Sequence, residues 1–252
     1  GQFCMSSQSR IRLFAGPNGS GKTSLYYKIS KTYNSGIFIN ADEIEKTLQT
    51  KGLIDLSEFG LKVTAKDLEL FFSLNDSQSL LAKARQENYT IDITIAENFI
   101  VNKPKETNSY EAAFAASFIR YLLLKEQKSF SYETVMSDSS KLRELETAKK
   151  MGFKTYLYFV CTDDYKKNID RVQLRVAKGG HNVDVNKIEK RYFKTLENLS
   201  DAIKIVDRAF LFDNSGKKMD LLAEVFQGQA FKFHTTDLPL WFEEYVYNKF
   251  DF

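Results

Sequence analysis

Short apolar runs alternate with longer amphipathic stretches along this chain, and several runs end in residues that carry chemistry. Ile11 to Ala15, Gly36 to Asn40, Ser129 to Glu133, Thr155 to Cys161 and Ala209 to Asp213 read as strands. The stretches between them read as crossover helices, the pattern of βαβ units on a parallel sheet. Lys22 to Tyr33, about Glu43 to Lys51 and Ser139 to Lys150 supply three such helices, the last closed by Gly152. Tyr110 to Lys125 is apolar on nearly every face, and Asn108 with Glu111 makes a capping box at its start. A buried helix packed on the sheet is expected there.

Two regions exceed this minimal core. Between Gly52 and Asn108 the pattern predicts an insertion with helical pieces at Asp67 to Leu74 and Gln78 to Gln86 and a strand-like alternation from Thr90 to Ile95. After the fifth strand, Leu221 to Phe226 and Gln229 to Phe233 flank Gln227-Gly228 like a hairpin, and an aromatic helix follows around Leu238 to Phe250. The expected organisation is a core over residues 1–220, carrying an insertion at about 52–108 and a helical lid at about 165–195, with residues 221–252 as an appendage on the same domain.

Composition narrows the partners. The chain has 252 residues with 36 Lys+Arg against 33 Asp+Glu, a formal net charge of +3, too balanced for a nucleic-acid platform. Aromatic residues make up 14%, but they are scattered among Lys and Asn and read as compositional bias rather than as stacking surfaces. No stretch approaches the ~20 apolar residues of a membrane span. Cys4 and Cys161 sit in no metal or redox spacing, and Cys161 ends an apolar run where a thiol is a small buried hydrophobe. A reducing cytoplasm is the expected compartment.

The strongest chemical signal is Gly16-Pro17-Asn18-Gly19-Ser20-Gly21-Lys22-Thr23, followed by Ser24, which matches GxxxxGKT where a strand passes into a helix. Such a loop turns successive backbone N–H groups toward phosphate oxygens at a helix N-terminus, while Lys22 supplies a point charge and Thr23 a hydroxyl for Mg²⁺. The fold class expected is therefore α/β, a P-loop NTPase with a doubly wound, mainly parallel five-stranded sheet and helices on both faces. ATP and Mg²⁺ are the expected cofactors.

The acceptor side is less explicit. The second strand ends in Asn40-Ala41-Asp42-Glu43, which places the Asp42 carboxylate where ligands bind in open α/β sheets. Asp42 reads equally as a base for an acceptor hydroxyl and, with Glu45, as a capping box. The third strand delivers Glu133 and Thr134 to its end, in reach of an acceptor or of the magnesium's water shell. No apolar run ends in a plain Walker B aspartate. Arg171 and Arg175 are four apart and share a helical face, Gly179-Gly180 permits a reversal, and Arg191 returns on the next helix. They read as a lid whose guanidinium groups close on a phosphoryl group, or as a solvated basic face. His181 is a turn residue. Asn214, in Asp213-Asn214-Ser215-Gly216, is expected near the base and ribose of a nucleotide, although turn chemistry explains that stretch equally well.

Taken together, GPNGSGKTS at Gly16, FINADEI at Phe38, FSYETVMS at Phe130, RVQLRVAKGGHNV at Arg171 and LFDNSG at Leu211 resemble the zeta toxin family of P-loop kinases. They are closest to its stand-alone bacterial branch, often labelled predicted ABC-type ATPases, and span most of the chain in family order. No LSGGQ-like signature supports the ABC label. The resemblance implies ATP-dependent phosphorylation of a sugar hydroxyl on a UDP-activated amino sugar, UDP-N-acetylglucosamine. Lys22 and Thr23 would hold the triphosphate and magnesium, Asp42 would take the hydroxyl proton, Glu133 and Thr134 would contact the acceptor, and lid arginines would bind the phosphoryl group. It also implies a helical antitoxin partner that obstructs the nucleotide pocket. Another hydroxyl acceptor, such as an antibiotic or a nucleotide, and a nucleotide-gated binding module without catalysis are the alternatives.

Overall fold

A computed structural model describes residues 8–34, 36–102 and 107–252; Cys4 and residues 103–106 of the expected insertion lie outside them. In chain order the elements are β1 (Arg10–Ala15), α1 (Lys22–Ser30), β2 (Ile37–Ile39), α2 (Ala41–Lys51), β3 (Leu53–Asp55), a 3₁₀ turn (Leu56–Phe59), α3 (Ala65–Phe72) and α4 (Asn75–Gln86). Then come β4 (Thr94–Ala96), β5 (Phe99–Val101), α5 (Ser109–Lys125), β6 (Phe130–Thr134), α6 (Ser140–Lys150) and β7 (Lys154–Cys161). The chain continues through α7 (Tyr165–Ala177), α8 (Val185–Ile205), β8 (Arg208–Asp213), β9 (Asp220–Phe226), β10 (Ala230–Phe233), α9 (Leu240–Tyr245) and a closing 3₁₀ turn (Tyr247–Lys249). Two compact units result, Gly1–Gly36 with Ser129–Phe252, and Ile37–Lys128.

In the first unit the hydrogen-bonded strand order is β10-β9-β8-β7-β1-β6. β1 runs parallel to β6 and β7, and β7 parallel to β8, which brings Ala15, Thr134, Phe159 and Leu211 to one end of the sheet. The mainly parallel α/β class is borne out. The sheet also continues beyond the expected strands, because β9 turns back antiparallel on β8 and β10 pairs with β9. The hairpin is thus an extension of the sheet itself, and its three-residue turn, Gln227 to Gln229, has φ of 54° at Gln227 and 64° at Gly228.

Alternation along the strands feeds two cores. Phe14, Leu25, Tyr156, Tyr158, Val160 and Phe212 are buried together under Tyr26 and Ile29 of α1. The opposite set, Ile11, Leu13, Leu157, Phe159, Ala209 and Leu211, is fully buried, and Phe159 meets the Trp241 ring of α9 at 5.8 Å. Parallel strands covered on both faces read as nearly continuous apolar runs, which is why β1 and β7 were legible.

The second unit contains β2, the helices α2 to α5 and a three-stranded antiparallel sheet in the order β3-β5-β4. β5 was not foreseen, and the alternation from Thr90 resolves into β4 at Thr94–Ala96 paired with it. Helix α5 buries residues on nearly every face, with Phe71 of α3 packed at 5.2 Å from both Phe114 and Phe118. Its expected capping box is present, with Asn108 accepting from Glu111 N at 3.0 Å. Glu111 is almost fully buried, and that burial holds its carboxyl above the usual range against hydrogen bonds from Asp92, Asn108 and Asn102.

Candidate functional site

The glycine-rich loop lies between the end of β1 and the start of α1, where the sequence motif placed it. Gly16 N donates to Thr134 O at 3.3 Å and Ser20 N to Pro17 O at 3.2 Å, so the loop is stitched to β6 and to itself. Two positions admit only glycine. A Cβ on Gly16, at φ 155°, would sit 2.1 Å from Val160 O; one on Gly19, at φ 75°, would sit 2.5 Å from Asn168 O. The loop backbone is therefore pressed against β7 on one side and α7 on the other. Close backbone approach of this kind, open only to glycine, is what a loop that wraps phosphate oxygens requires.

Lys22 is buried, and its Nζ donates to Gly16 O at 2.8 Å and to Pro17 O at 3.2 Å. Thr23 Oγ1 lies 3.2 Å from Glu133 Oε2, so the first turn of α1 and the end of β6 bring a hydroxyl and a carboxylate together. Oxygen donors of this kind suit a hard divalent cation beside a phosphate cradle. Thr134 follows on β6, and its Oγ1 accepts from Met136 N at 3.0 Å, so its hydroxyl closes the turn after the strand. Ser24 is exposed and Asn18 half-buried, with its side-chain Oδ1 buried and without a partner among the described residues.

The far side of the loop is held by Asn168, which the sequence pattern did not single out, together with Arg171 and Asn214, which it did. Asn168, fully buried on α7, donates from Nδ2 to Ser20 Oγ at 2.8 Å and accepts from the Thr162 hydroxyl. One turn later, Arg171 donates from Nη2 to Asn214 O at 2.7 Å and from Nη1 to Gly19 O at 3.4 Å. Asn214, just past β8, donates from Nδ2 to Ser20 O at 2.9 Å. Its own loop is pinned by Asp213, which accepts from Ser215 Oγ at 2.8 Å and from Trp241 Nε1 at 2.9 Å. Burial alone would raise the neighbouring Asp163 carboxyl, but hydrogen bonding to Lys167 and Ser215 outweighs it and holds that group below its ordinary range.

Arg175 is exposed on the last turn of α7, and Arg191 is half-buried on α8. The α7 helix ends as Gly180 N and Lys178 N donate to Arg175 O at 2.7 and 3.1 Å, with Gly179 at φ 90°. Behind these residues, Tyr192 donates to Thr162 O at 2.6 Å, and burial pushes both the Tyr192 phenol and the Cys161 thiol far above their usual ranges.

In the second unit, Asp42 is exposed in the first turn of α2. The expected Asp42 and Glu45 capping box is not formed. Asn40 is the cap instead, its Oδ1 accepting from Asp42 N at 2.9 Å and Glu43 N at 3.4 Å. An asparagine immediately before the first turn satisfies the same orphan N–H groups, and Asp42 keeps its carboxylate out of the cap.

Comparison with known proteins shows the fold and little beyond it. No protein-family model matches the chain. An uncharacterized protein of Haemophilus influenzae is 28% identical over 72 residues, covering 29% of this chain and 51% of that protein. Crystal structures of the AvrRxo1-ORF1:AvrRxo1-ORF2 complex superpose at a TM-score of 0.58 with sulphate ions and 0.57 with ATP, at 15% and 16% identity over 95% of this chain. The present chain spans about half of the Haemophilus protein and 64% of the length of the structural relatives. The PezAT toxin-antitoxin system of Streptococcus pneumoniae is similar only at a TM-score of 0.46, too loose to bear on function.

Proposed function

We propose that this chain is an ATP-dependent small-molecule kinase of the zeta toxin type, transferring a phosphoryl group to a sugar hydroxyl of UDP-N-acetylglucosamine. The observation that carries the kinase reading is the pairing of Thr23 Oγ1 with Glu133 Oε2 at 3.2 Å beside a backbone cradle that only glycine can form. When bound, ATP supplies the phosphoryl group and Mg²⁺ offsets its charge.

In this reading Thr23 and Glu133 hold the metal and its water, and Lys22 turns from the loop carbonyls toward the triphosphate. Asp42 accepts the proton of the acceptor hydroxyl as the new phosphate ester forms, and arginines drawn from the lid stabilise the spreading charge. Glu133 thereby moves from the acceptor toward the metal. The capping by Asn40 supports the assignment of Asp42, since it leaves that carboxylate uncommitted to the helix end. A fold shared with a structure described with ATP supports the donor, and the two-chain nature of that relative supports the expectation of a protein antitoxin. Another hydroxyl acceptor, an antibiotic or a nucleotide, preserves every one of these roles.

Mass spectrometry of a UDP-sugar mixture incubated with ATP, Mg²⁺ and the protein tests the proposal. A gain of one phosphate on UDP-N-acetylglucosamine is expected. Phosphate gain on a different compound overturns the acceptor, and ATP binding without transfer to any hydroxyl compound favours the binding module.

A further inference from the structure

We propose that Asn168 and Arg171 are positioning residues that hold the phosphate loop in its binding shape, and that Arg171 is not among the arginines that meet the transferred phosphoryl group. The proposal rests on the nucleotide-binding reading above and divides the three lid arginines by role.

A loop that turns its N–H groups inward to phosphate turns carbonyls outward, and buried carbonyls require partners. Here each of four loop carbonyls has one. Lys22 takes those of Gly16 and Pro17, Arg171 that of Gly19 and Asn214 that of Ser20. The Arg171 fork also reaches Asn214 O, so one guanidinium joins the phosphate loop, α7 and the turn after β8. Two divergent bonds of this kind suit a planar fork and cannot both be made by a lysine ammonium without moving one partner.

Asn168 completes the grip. It is fully buried, as are Ser20 and Thr162, and its amide spans the two. The backbone at Asn168 also lies where any side chain on Gly19 would have to go. Helix α7 is thus fastened to the loop through two side chains three residues apart on one face, and an arginine so engaged is committed to the loop's outer surface. Arg175, a further turn along and exposed, and Arg191 are left for the phosphoryl group.

Calorimetric titration of full-length protein with ATP and Mg²⁺, paired with steady-state turnover, separates the two roles. Arg171→Lys and Asn168→Ala are expected to weaken ATP binding by about tenfold or more, the scale of one charge-assisted or buried hydrogen bond, with kcat at saturating ATP close to the parent value. Ser20→Ala and Asn168→Ala are expected to be non-additive in ATP affinity, because each removes the same bond. Thermal melting of every variant shows which remain folded, and Arg171→Lys, which keeps charge and length, carries the test should Asn168→Ala unfold. An Arg171→Lys protein that binds ATP like the parent but loses turnover overturns the assignment of Arg171, and strictly additive losses overturn that of Asn168. A parent protein that binds no ATP refutes the nucleotide reading itself, a separate outcome.

Discussion

Two arginines of α7, one helical turn apart, stand in opposite circumstances. At Asn168 and Arg171 the helix is tied to the phosphate loop by bonds of 2.8 and 3.4 Å and to Asn214 by one of 2.7 Å. At Arg175 the side chain is exposed and the backbone closes into Gly179-Gly180. Residues of the same charge, on the same face and in the same motif, are thus divided by a single turn of helix into one group that holds the loop and one free of that duty. A cluster of arginines near a phosphate site does not by itself name the residue that touches phosphate.

This contrast can be broken by experiment. The largest expected effect lies at the exposed end: Arg175→Ala is expected to lower kcat by up to about 10³-fold, the scale of arginine groups that stabilise transferring phosphoryl, with ATP affinity unchanged in calorimetry. A loss confined to ATP binding would erase the distinction from Arg171. At the anchored end, Gly19→Ala forces a Cβ to within 2.5 Å of Asn168 O at a φ of 75°. It should cost about 1–3 kcal/mol in denaturant unfolding and weaken ATP binding together; wild-type stability in that variant would mean that α7 is not pressed on the loop.

A smaller effect is expected far from α7. Glu224 on β9 accepts from Arg208 Nη2 at 2.7 Å and contacts His234 Nε2 at 2.7 Å. Burial alone would raise its carboxyl, but the hydrogen bonds with His234 and Arg208 outweigh burial and hold it below its ordinary 4.5. Its contribution to stability is therefore present above about that pH and lost as pH falls through the depressed value. Glu224→Gln should flatten the acid limb of a melting-temperature profile while leaving ATP affinity as it was. An unaltered acid limb would remove Glu224 from the account, and altered ATP affinity would show the hairpin coupled to the loop.

What the sequence revealed divides along similar lines. The phosphate loop was legible because its constraint is local: eight consecutive residues must turn amides inward, and only a few glycine placements allow it. The capping box at Asn108 and Glu111 was legible for the same reason. The second unit was harder. β3, β4 and β5 are three residues each, too short for a period of two to stand out, and their pairing from Leu53 to Val101 is set by tertiary contact. Asp42 was offered as a cap because the box pattern fits it, yet Asn40 two residues earlier satisfies the helix end more directly. The bonds from Asn168 to Ser20 and from Arg171 to Gly19 cross 148 and 152 positions of chain. The spacing of Arg171 and Arg175 along one helix face was visible; what that face meets, and the part played by Asn168, were not.

The complete burial of Cys161 at the end of β7 has a practical use. Alkylating reagents attack the thiolate, and a sulfur shut away at 0% exposure, its ionisation suppressed by that burial, reacts only after the strands around it separate. In a Cys4→Ser background the labelling rate of this one sulfur becomes a clock for the opening of the sheet centre, and slower labelling with ATP present would measure how far a bound nucleotide holds that centre shut.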